Sequence, residues 1–379
     1  MTRHAQIRTA EIVEFLRRPE HYPERPGRVT VIETHFAWVF LAGSLAYKLK
    51  KPVLQDCMDY RSIAARRRGC RNEVRLNRRL APAVYLGTVP ITRDAGGALT
   101  LGRKGRAPIV DWLVQMRRLP ASRMLDRIIA RRAATRLEVE RIAGKLTQFF
   151  ADAVPRPLAP RQYLARLRHR IRQDHDALCA ADLGLDKACI ETITSAQLAF
   201  LAERPSLLAE RATQLIDGHG DLRPEHLYLG SRSQEPCVID CLEFSSDLRW
   251  LDPAEEMAFL TLECRRLGGG AVAKELLAGY RRLARAPPGD RLLSFYMSLR
   301  ALTRAKLAAW HLRDPQFAVQ ATLWRSRAES YVADAARCIR RARQQTRSIP
   351  GSGIRVYRPA LEQGSQRFSR QHARDSLAE

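Results

Sequence analysis

The sequence predicts an α+β chain in two lobes. A small, mostly antiparallel β-sheet with one main helix comes first, and a mostly helical lobe carrying a β-hairpin follows. Three observations predict this. Short β-type runs crowd the first 116 residues, and helical periodicity takes over from Met124. Between later helices lies a polar loop, Ile216-Asp-Gly-His219-Gly-Asp221-Leu-Arg223-Pro-Glu-His226, with two apolar runs behind it. The boundaries that result are 1–116 for the first lobe, 117–347 for the second and 348–379 for a basic tail.

A chain of 379 residues, 45% of them hydrophobic, can bury a real core in two such lobes. No apolar run reaches the roughly 18–20 residues that span a bilayer. The N-terminus mixes arginine with Glu11, Glu14 and Glu20, unlike the uninterrupted apolar centre of a signal peptide. A cytoplasmic protein, with no membrane partner, is expected. Eight cysteines occur at 57, 70, 179, 189, 237, 241, 264 and 338, with no Cys-x-x-Cys pair, which argues against a zinc ribbon. Cys237 and Cys241 flank Asp240 and read as core. The net charge of +25 and a pI near 10.6 draw polyanions, nucleotides and nucleic acids alike. Much of that excess is arginine spread along helices as a solvated face, so nucleic acid is not the favoured partner.

In order, residues 8–18 group Ile12, Val13, Phe15 and Leu16 on one side of a helix, which Pro19 ends. Val29 to Glu33 and Phe36 to Leu41 read as strands. Gly43-Ser44 turns the chain, and Ala46 to Lys50 is the next strand, closed by Pro52. Alternation puts Ala46, Lys48 and Lys50 on one face of it, with Tyr47 and Leu49 on the other. Ile63 to Leu80 reads as a helix in which Glu73 is one acid amid seven arginines from 66 to 79. Tyr85 to Ile91 and Leu99 to Leu101 are strands joined through Gly96-Gly97. Val110 to Met116 is a further strand, and Leu119-Pro120 marks the passage to the second lobe.

Beyond it, Val139, Ile142, Ala143, Leu146 and Phe150 recur at helical spacing in 135–153. Residues 161–182, 188–203 and 206–214 are further helices, on which His169 and His175 read as solvated surface. Asp252, Pro253 and Glu255 form a helix-start signature of cap, first-turn proline and acid at the third position. Helices over about 253–267, 271–284, 290–312 and 315–344 complete the lobe. From Ser348, Gly, Ser, Gln and Arg dominate, which reads as a mobile basic tail.

The hairpin is the point of convergence. Leu227 to Leu229 and Cys237 to Ile239 pair across the turn Gly230 to Pro236. Pairing brings the loop before the first strand beside the residues that end the second. Asp221, His226 and Asp240 should therefore meet in one small volume, with Glu243 at its edge.

This series is similar to kinase motifs. A catalytic loop of the form His-x-Asp, four residues, then a metal ligand, with a later strand-borne Asp, is the protein-kinase arrangement. His219, Asp221, His226 and Asp240 occupy those places in order. His-Gly-Asp-Leu-Arg-Pro-Glu-His, then Ile239-Asp240, then Asp252-Pro253, preceded by Tyr47-Lys48-Leu49-Lys50-Lys51-Pro52, resembles the aminoglycoside phosphotransferase-like kinases. Within them it looks most like bacterial members with no assigned substrate. The resemblance implies a bilobal protein-kinase-like fold and transfer of the γ-phosphoryl of ATP to a hydroxyl of a small-molecule acceptor. It implies Asp221 as catalytic base and Lys48 on the ATP phosphates, paired with Glu73. Arg223, two residues after Asp221, is a candidate to offset charge on the transferring group, with a surface arginine as the open alternative. Lys50 stays open as the alternative lysine. His226 and Asp240 would hold magnesium or manganese. Met116, within Val114 to Arg117, would stand at the hinge that meets adenine. The Asp252 helix would pack beneath the loop, with Asp252 supporting it.

His226 departs from the usual oxygen ligand, since magnesium prefers oxygen and imidazole suits manganese, iron or zinc. Direct ligation, action through a bound water and a nucleotide-binding protein of altered chemistry all stay open, and Glu243 is a candidate for the missing oxygen ligand. A hydrolase centre built from His219, Asp221, His226 and Asp240, or a basic nucleic-acid module, are the competing readings. No Walker motif occurs, so a P-loop ATPase is unsupported. No Gly-x-Gly-x-x-Gly occurs in the first lobe, and Ala42-Gly43-Ser44 is a candidate to cover phosphates. The strongly basic second lobe favours an anionic or neutral acceptor over a polycation.

Overall fold

Alternating apolar residues and short polar turns between Val29 and Arg117 build the sheet expected of the first lobe. Helix α1 (Arg3–Arg17) precedes strands β1 (Val29–Glu33), β2 (Ala37–Ala42), β3 (Leu45–Lys50), β4 (Leu54–Gln55) and β5 (Met58–Asp59). Helix α2 (Ile63–Asn77) and strands β6 (Tyr85–Arg93), β7 (Leu99–Leu101) and β8 (Ile109–Arg117) follow. The computed structural model describes residues 3–344 except 56–57, 104, 181–182, 232–233 and 314–318. The tail expected from Ser348, and Cys57, lie outside the described residues.

Six strands form one antiparallel sheet in the order β1-β2-β3-β8-β6-β7, and β4 pairs with β5. Two helices cover the sheet, where one main helix was expected. On one face α1 lays Ile12, Phe15 and Leu16 against Phe40, Tyr47, Leu49 and Leu113. On the other, α2 sets Cys70 and Val74 against Tyr85, Trp112 and Val114. The two-residue period of β3 therefore sends Tyr47 and Leu49 to the α1 side and both lysines to α2. Ser62 caps α2 by accepting from the Ala65 N–H at 3.1 Å. A buried fork from Arg66 to Asp111, at 2.9 and 2.8 Å, ties α2 to β8. Gly69 is needed within α2, because a Cβ there would lie 2.7 Å from the Tyr60 ring.

The helical remainder comprises α3 (Leu125–Ala130), α4 (Arg136–Asp152), α5 (Pro160–Leu178), α6 (Lys187–Glu203), α7 (Pro205–Arg211), α8 (Ser246–Arg249), α9 (Pro253–Arg266), α10 (Gly270–Leu283), α11 (Asp290–Trp310) and α12 (Ala321–Gln344). One core joins Ile142 and Leu146 of α4, Met257 and Leu260 of α9, Phe295 and Leu299 of α11 and Ile339 of α12. Every residue from Pro253 to Cys264 is buried, so α9 runs through the middle of this part. Its acids are buried with it and must find partners. No helix among the described residues is long and apolar enough to cross a membrane. The seven described cysteines are unpaired, and Cys237 and Cys241 are buried as core.

Two short antiparallel pairs sit among these helices. Strands β9 (Ile216–Asp217) and β12 (Trp250–Leu251) pair at the base of the polar loop. Strands β10 (Leu227–Tyr228) and β11 (Cys237–Val238) form the expected hairpin, with Leu227 opposite Val238. Together they lay residues 218–226 beside residues 239–243.

Candidate active site

The loop that leaves β9 is held from beneath by Glu256 of α9. Its Oε1 accepts from the His219 N–H at 2.7 Å and the Gly220 N–H at 2.5 Å. This is where the glycines matter. A Cβ at Gly218 would lie 2.8 Å from that oxygen, and Gly220 sits at φ +89, a left-handed conformation that glycine adopts without strain. Burial pushes the Glu256 carboxyl up to about 7, against the two backbone donors. The expected support, Asp252, does something else. It caps α9 through the Ala254 N–H at 2.9 Å and pairs with Arg211 at 2.6 and 2.7 Å. Glu255 does not close a capping box either, because Arg170 and Arg300 take its carboxylate at 2.6 and 2.8 Å.

Three arginines secure the loop from outside. Arg79 donates to the Asp217 and Gly218 oxygens at 2.6 and 2.8 Å, and Arg300 to the Gly220 oxygen at 3.2 Å. Arg249 joins Asp217 to the Leu242 oxygen, both at 2.7 Å.

His219 is a scaffold. Its Nε2–H donates to the Ile239 oxygen at 2.9 Å, and its Nδ1 accepts from the Asp221 N–H at 3.3 Å. Burial, reinforced by His226, depresses the ring to about 3, so it is neutral near pH 7. With both nitrogens engaged it is not available as a metal ligand, which removes the hydrolase centre built on it.

Asp221 and Arg223 form a clamped pair. Arg223 reaches the Asp221 Oδ2 through Nε at 3.0 Å and Nη2 at 2.9 Å, and its Nη1 bonds Glu225. Burial alone would raise the Asp221 carboxyl, but Arg223, His226 and Arg304 outweigh it and hold it at about 2. Arg223 therefore fixes the carboxylate of Asp221 and is not directed at open space.

His226 is buried, and its Nδ1–H donates to the Asp221 main-chain oxygen at 2.8 Å. That leaves Nε2 as the acceptor nitrogen, which Nη2 of Arg223 approaches at 3.4 Å. Nε2 lies 3.5 Å from Oδ2 of Asp240. A cation between an imidazole nitrogen and a carboxylate oxygen suits this pair. Among the described residues no three His, Cys, Asp or Glu side chains form a ready metal cluster.

Asp240 has φ +63, strained for a residue with a Cβ. Hydrogen bonds on either side hold it there. Its N–H donates to the Tyr85 hydroxyl at 3.1 Å, and the Cys241 N–H donates to Asn77 at 2.9 Å. The chain reversal turns the carboxylate toward β3. Oδ1 of Asp240 accepts from Lys48 at 2.6 Å, and Lys48 also lies 2.9 Å from Oε1 of Glu73. Burial would discharge this lysine, but Asp240 and Glu73 more than compensate and keep it charged.

Lys50 occupies a second, deeper place. Its amine reaches the other Glu73 oxygen at 2.5 Å and also bonds Glu243, which accepts from the Tyr60 hydroxyl at 2.7 Å. Both lysines thus belong to Glu73, and Lys48 alone reaches Asp240. Glu243, a candidate metal ligand, is not brought to His226 and Asp240, because Lys50 and Tyr60 hold its carboxylate.

Met116 lies within β8, opposite Ala46 on one side and Tyr85 on the other. Its backbone sits in the sheet, and β8 runs on to Arg117, whose N–H bonds Val84 at 2.8 Å. Its half-buried side chain, like those of Leu119 and Ile239, packs against the cluster that holds Val114 and Tyr85. The turn at Gly43 closes the far end of the β2–β3 hairpin, beside Arg118, whereas Lys50 pairs with Ala37 at the other end. The segment near the lysines is the β1–β2 turn, Thr34 to Phe36, so the Gly43 turn is misplaced as a phosphate cover.

No family model matches the chain. It is 33% identical over 284 residues, 74% of its length, to an uncharacterized protein of Mycobacterium tuberculosis and one of Mycobacterium bovis. It spans about half the length of these relatives, the match covering 54% of each. Among solved structures it is similar to a choline/ethanolamine kinase family protein from Mesorhizobium loti, with TM-score 0.49 and 15% identity over 88% of this chain and 99% of that one. It is also similar to an aminoglycoside phosphotransferase from Streptomyces rimosus, with TM-score 0.46 and 19% identity over 78% and 98% of the two chains.

Proposed function

We propose that this chain is an aminoglycoside phosphotransferase-like member of the protein-kinase-like superfamily, moving the γ-phosphoryl of ATP to a hydroxyl of a small molecule. The observation that carries the reading is the double contact of Lys48. Its amine bridges Glu73 of α2 and Asp240, a residue 192 positions away, with His226 beside the latter. A lysine, a helix carboxylate and a second carboxylate in one place are what phosphate binding needs.

Lys48, steadied by Glu73, would take the phosphates. Met116, Leu119 and Ile239 would offer the base an apolar wall, with Ala46 and the stretch after Arg117 next to it. His226 and Asp240 would hold magnesium or manganese, which would supply positive charge against that of the phosphates. Asp221 would receive the acceptor hydroxyl. Held at about 2, its carboxylate is a weak base, so its part is to orient the hydroxyl and take the proton late. A loose transition state asks little more of it. Arg223 keeps that carboxylate in place.

The test is thermal stabilisation by ADP or ATP with Mg2+ or Mn2+, followed by transfer from labelled ATP to a panel of hydroxyl compounds. Nucleotide with metal is expected to stabilise the wild type and not Asp240→Ala. No stabilisation of the wild type by any combination would overturn the proposal.

A further inference from the structure

A cavity of about 450 Å3 lies behind the loop, between α5, α11, the first turn of α9 and the segment from α8 to β12. Lys48, Asp221 and Asp240 do not line it, so it is separate from the proposed nucleotide cleft. Tyr163, Leu167 and Leu251 give it a buried apolar floor.

Its charges are unbalanced. Arg166, Arg170, Arg300 and Lys306 face Asp174, Glu255 and Asp247. Asp247 is exposed at the rim. Glu255, buried, is shared by Arg170 and Arg300, at 2.6 and 2.8 Å. Asp174, also buried, takes Lys306 at 2.5 Å and the Thr303 hydroxyl at 2.7 Å. Four cations therefore answer two buried acids. Among the described residues Arg166 makes no ion pair with a carboxylate. It bonds the main-chain oxygen of Asp247 and lies 5.0 Å over the Trp250 ring.

We propose that this cavity binds a small organic anion, a carboxylate or phosphate ester on a flat apolar body. The charge meets Arg166, and the body rests on the floor, since Arg156 and Arg166 already cover the Trp250 ring at 5.0 Å each. The site is linked to the loop. Arg300 pairs with Glu255 in the cavity wall and donates to the Gly220 oxygen, one residue before Asp221.

The test is isothermal titration of the full chain with phenyl phosphate, benzoate and, as a cationic control, benzylamine, each with and without saturating ADP and Mg2+. Saturable binding of at least one anion is expected, unaffected by ADP and absent for benzylamine. Arg166→Glu should weaken it at least tenfold and leave the response to ADP unchanged. Should that variant not fold, Arg166→Gln serves in its place. No saturable anion binding, competition by ADP, equal binding of benzylamine or indifference to the Arg166 change would each overturn the proposal. The readout is binding at Arg166, so the proposal stands or falls apart from any phosphoryl transfer.

Discussion

Replacing Glu256 with glutamine removes a buried ionisable group and keeps an acceptor oxygen for the His219 and Gly220 N–H groups. Burial lifts this carboxyl from an ordinary 4.5 to about 7. Between those values the folded chain keeps a proton that the unfolded chain has released. Stability on this account therefore falls as pH rises through the window. At 1.36 kcal/mol per pH unit the whole effect is about 3 kcal/mol, of which about 2 kcal/mol falls between pH 5.0 and 7.5. Glutamine carries no such proton. Urea unfolding of both proteins should show the Glu256→Gln variant gaining about 2 kcal/mol on the wild type across that interval. Glu256→Ala should instead be destabilised at every pH, by about 1–3 kcal/mol for each stranded N–H. A gap between Glu256→Gln and wild type that stays constant from pH 5.0 to 7.5 would show that the carboxylate titrates normally. The account of how the loop is held would then be wrong.

The two lysines of β3 should separate cleanly. Lys48→Met is expected to abolish stabilisation by nucleotide while the fold survives, since Lys50 still pairs with Glu73. Lys50→Met leaves Glu73 and Glu243 buried without their shared cation and should cost about 3–5 kcal/mol in urea unfolding. Asp221 is ionised down to about 2, so what it adds to stability is present at neutral pH and lost only as pH falls toward that value. The rate of any transfer reaction should accordingly show no acid limb from Asp221 between pH 8 and 5, and Asp221→Asn should lower the rate at every pH in that range. Arg211→Ala strands the buried Asp252 and should cost about 3–5 kcal/mol, measured by urea unfolding with the ADP response as a check on the cleft.

Local rules reached a good part of this structure. The alternation of β3 put both lysines on one face, and both do reach Glu73, the acid singled out on α2. A short hairpin was enough to bring Asp221, His226 and Asp240 together. The same rules were silent where partners are chosen at a distance. The run Asp252-Pro-Ala-Glu255-Glu256 offers three acids, and capping logic accounts for Asp252 without Glu256. Which acid meets the loop depends on how α9 is rotated in the core, a matter of packing against α10 and α11. Arginines read as a solvated face proved in several cases to be internal. Arg66, Arg211 and Arg249 are buried on acids 45, 41 and 32 positions away.

What the amino-acid order determines here is short-range: helices and strands from periodicity, turns from glycine and proline, and a set of side chains confined to one face or one loop. Tertiary structure decided which of several equivalent groups does what. It assigned Lys48 to Asp240 and Lys50 to Glu243, turned Glu243 away from His226, and put Glu256 beneath the loop. The reason is physical. A buried charge must have a counter-charge within hydrogen-bond reach, and that reach is defined only once the helices have docked against the sheet.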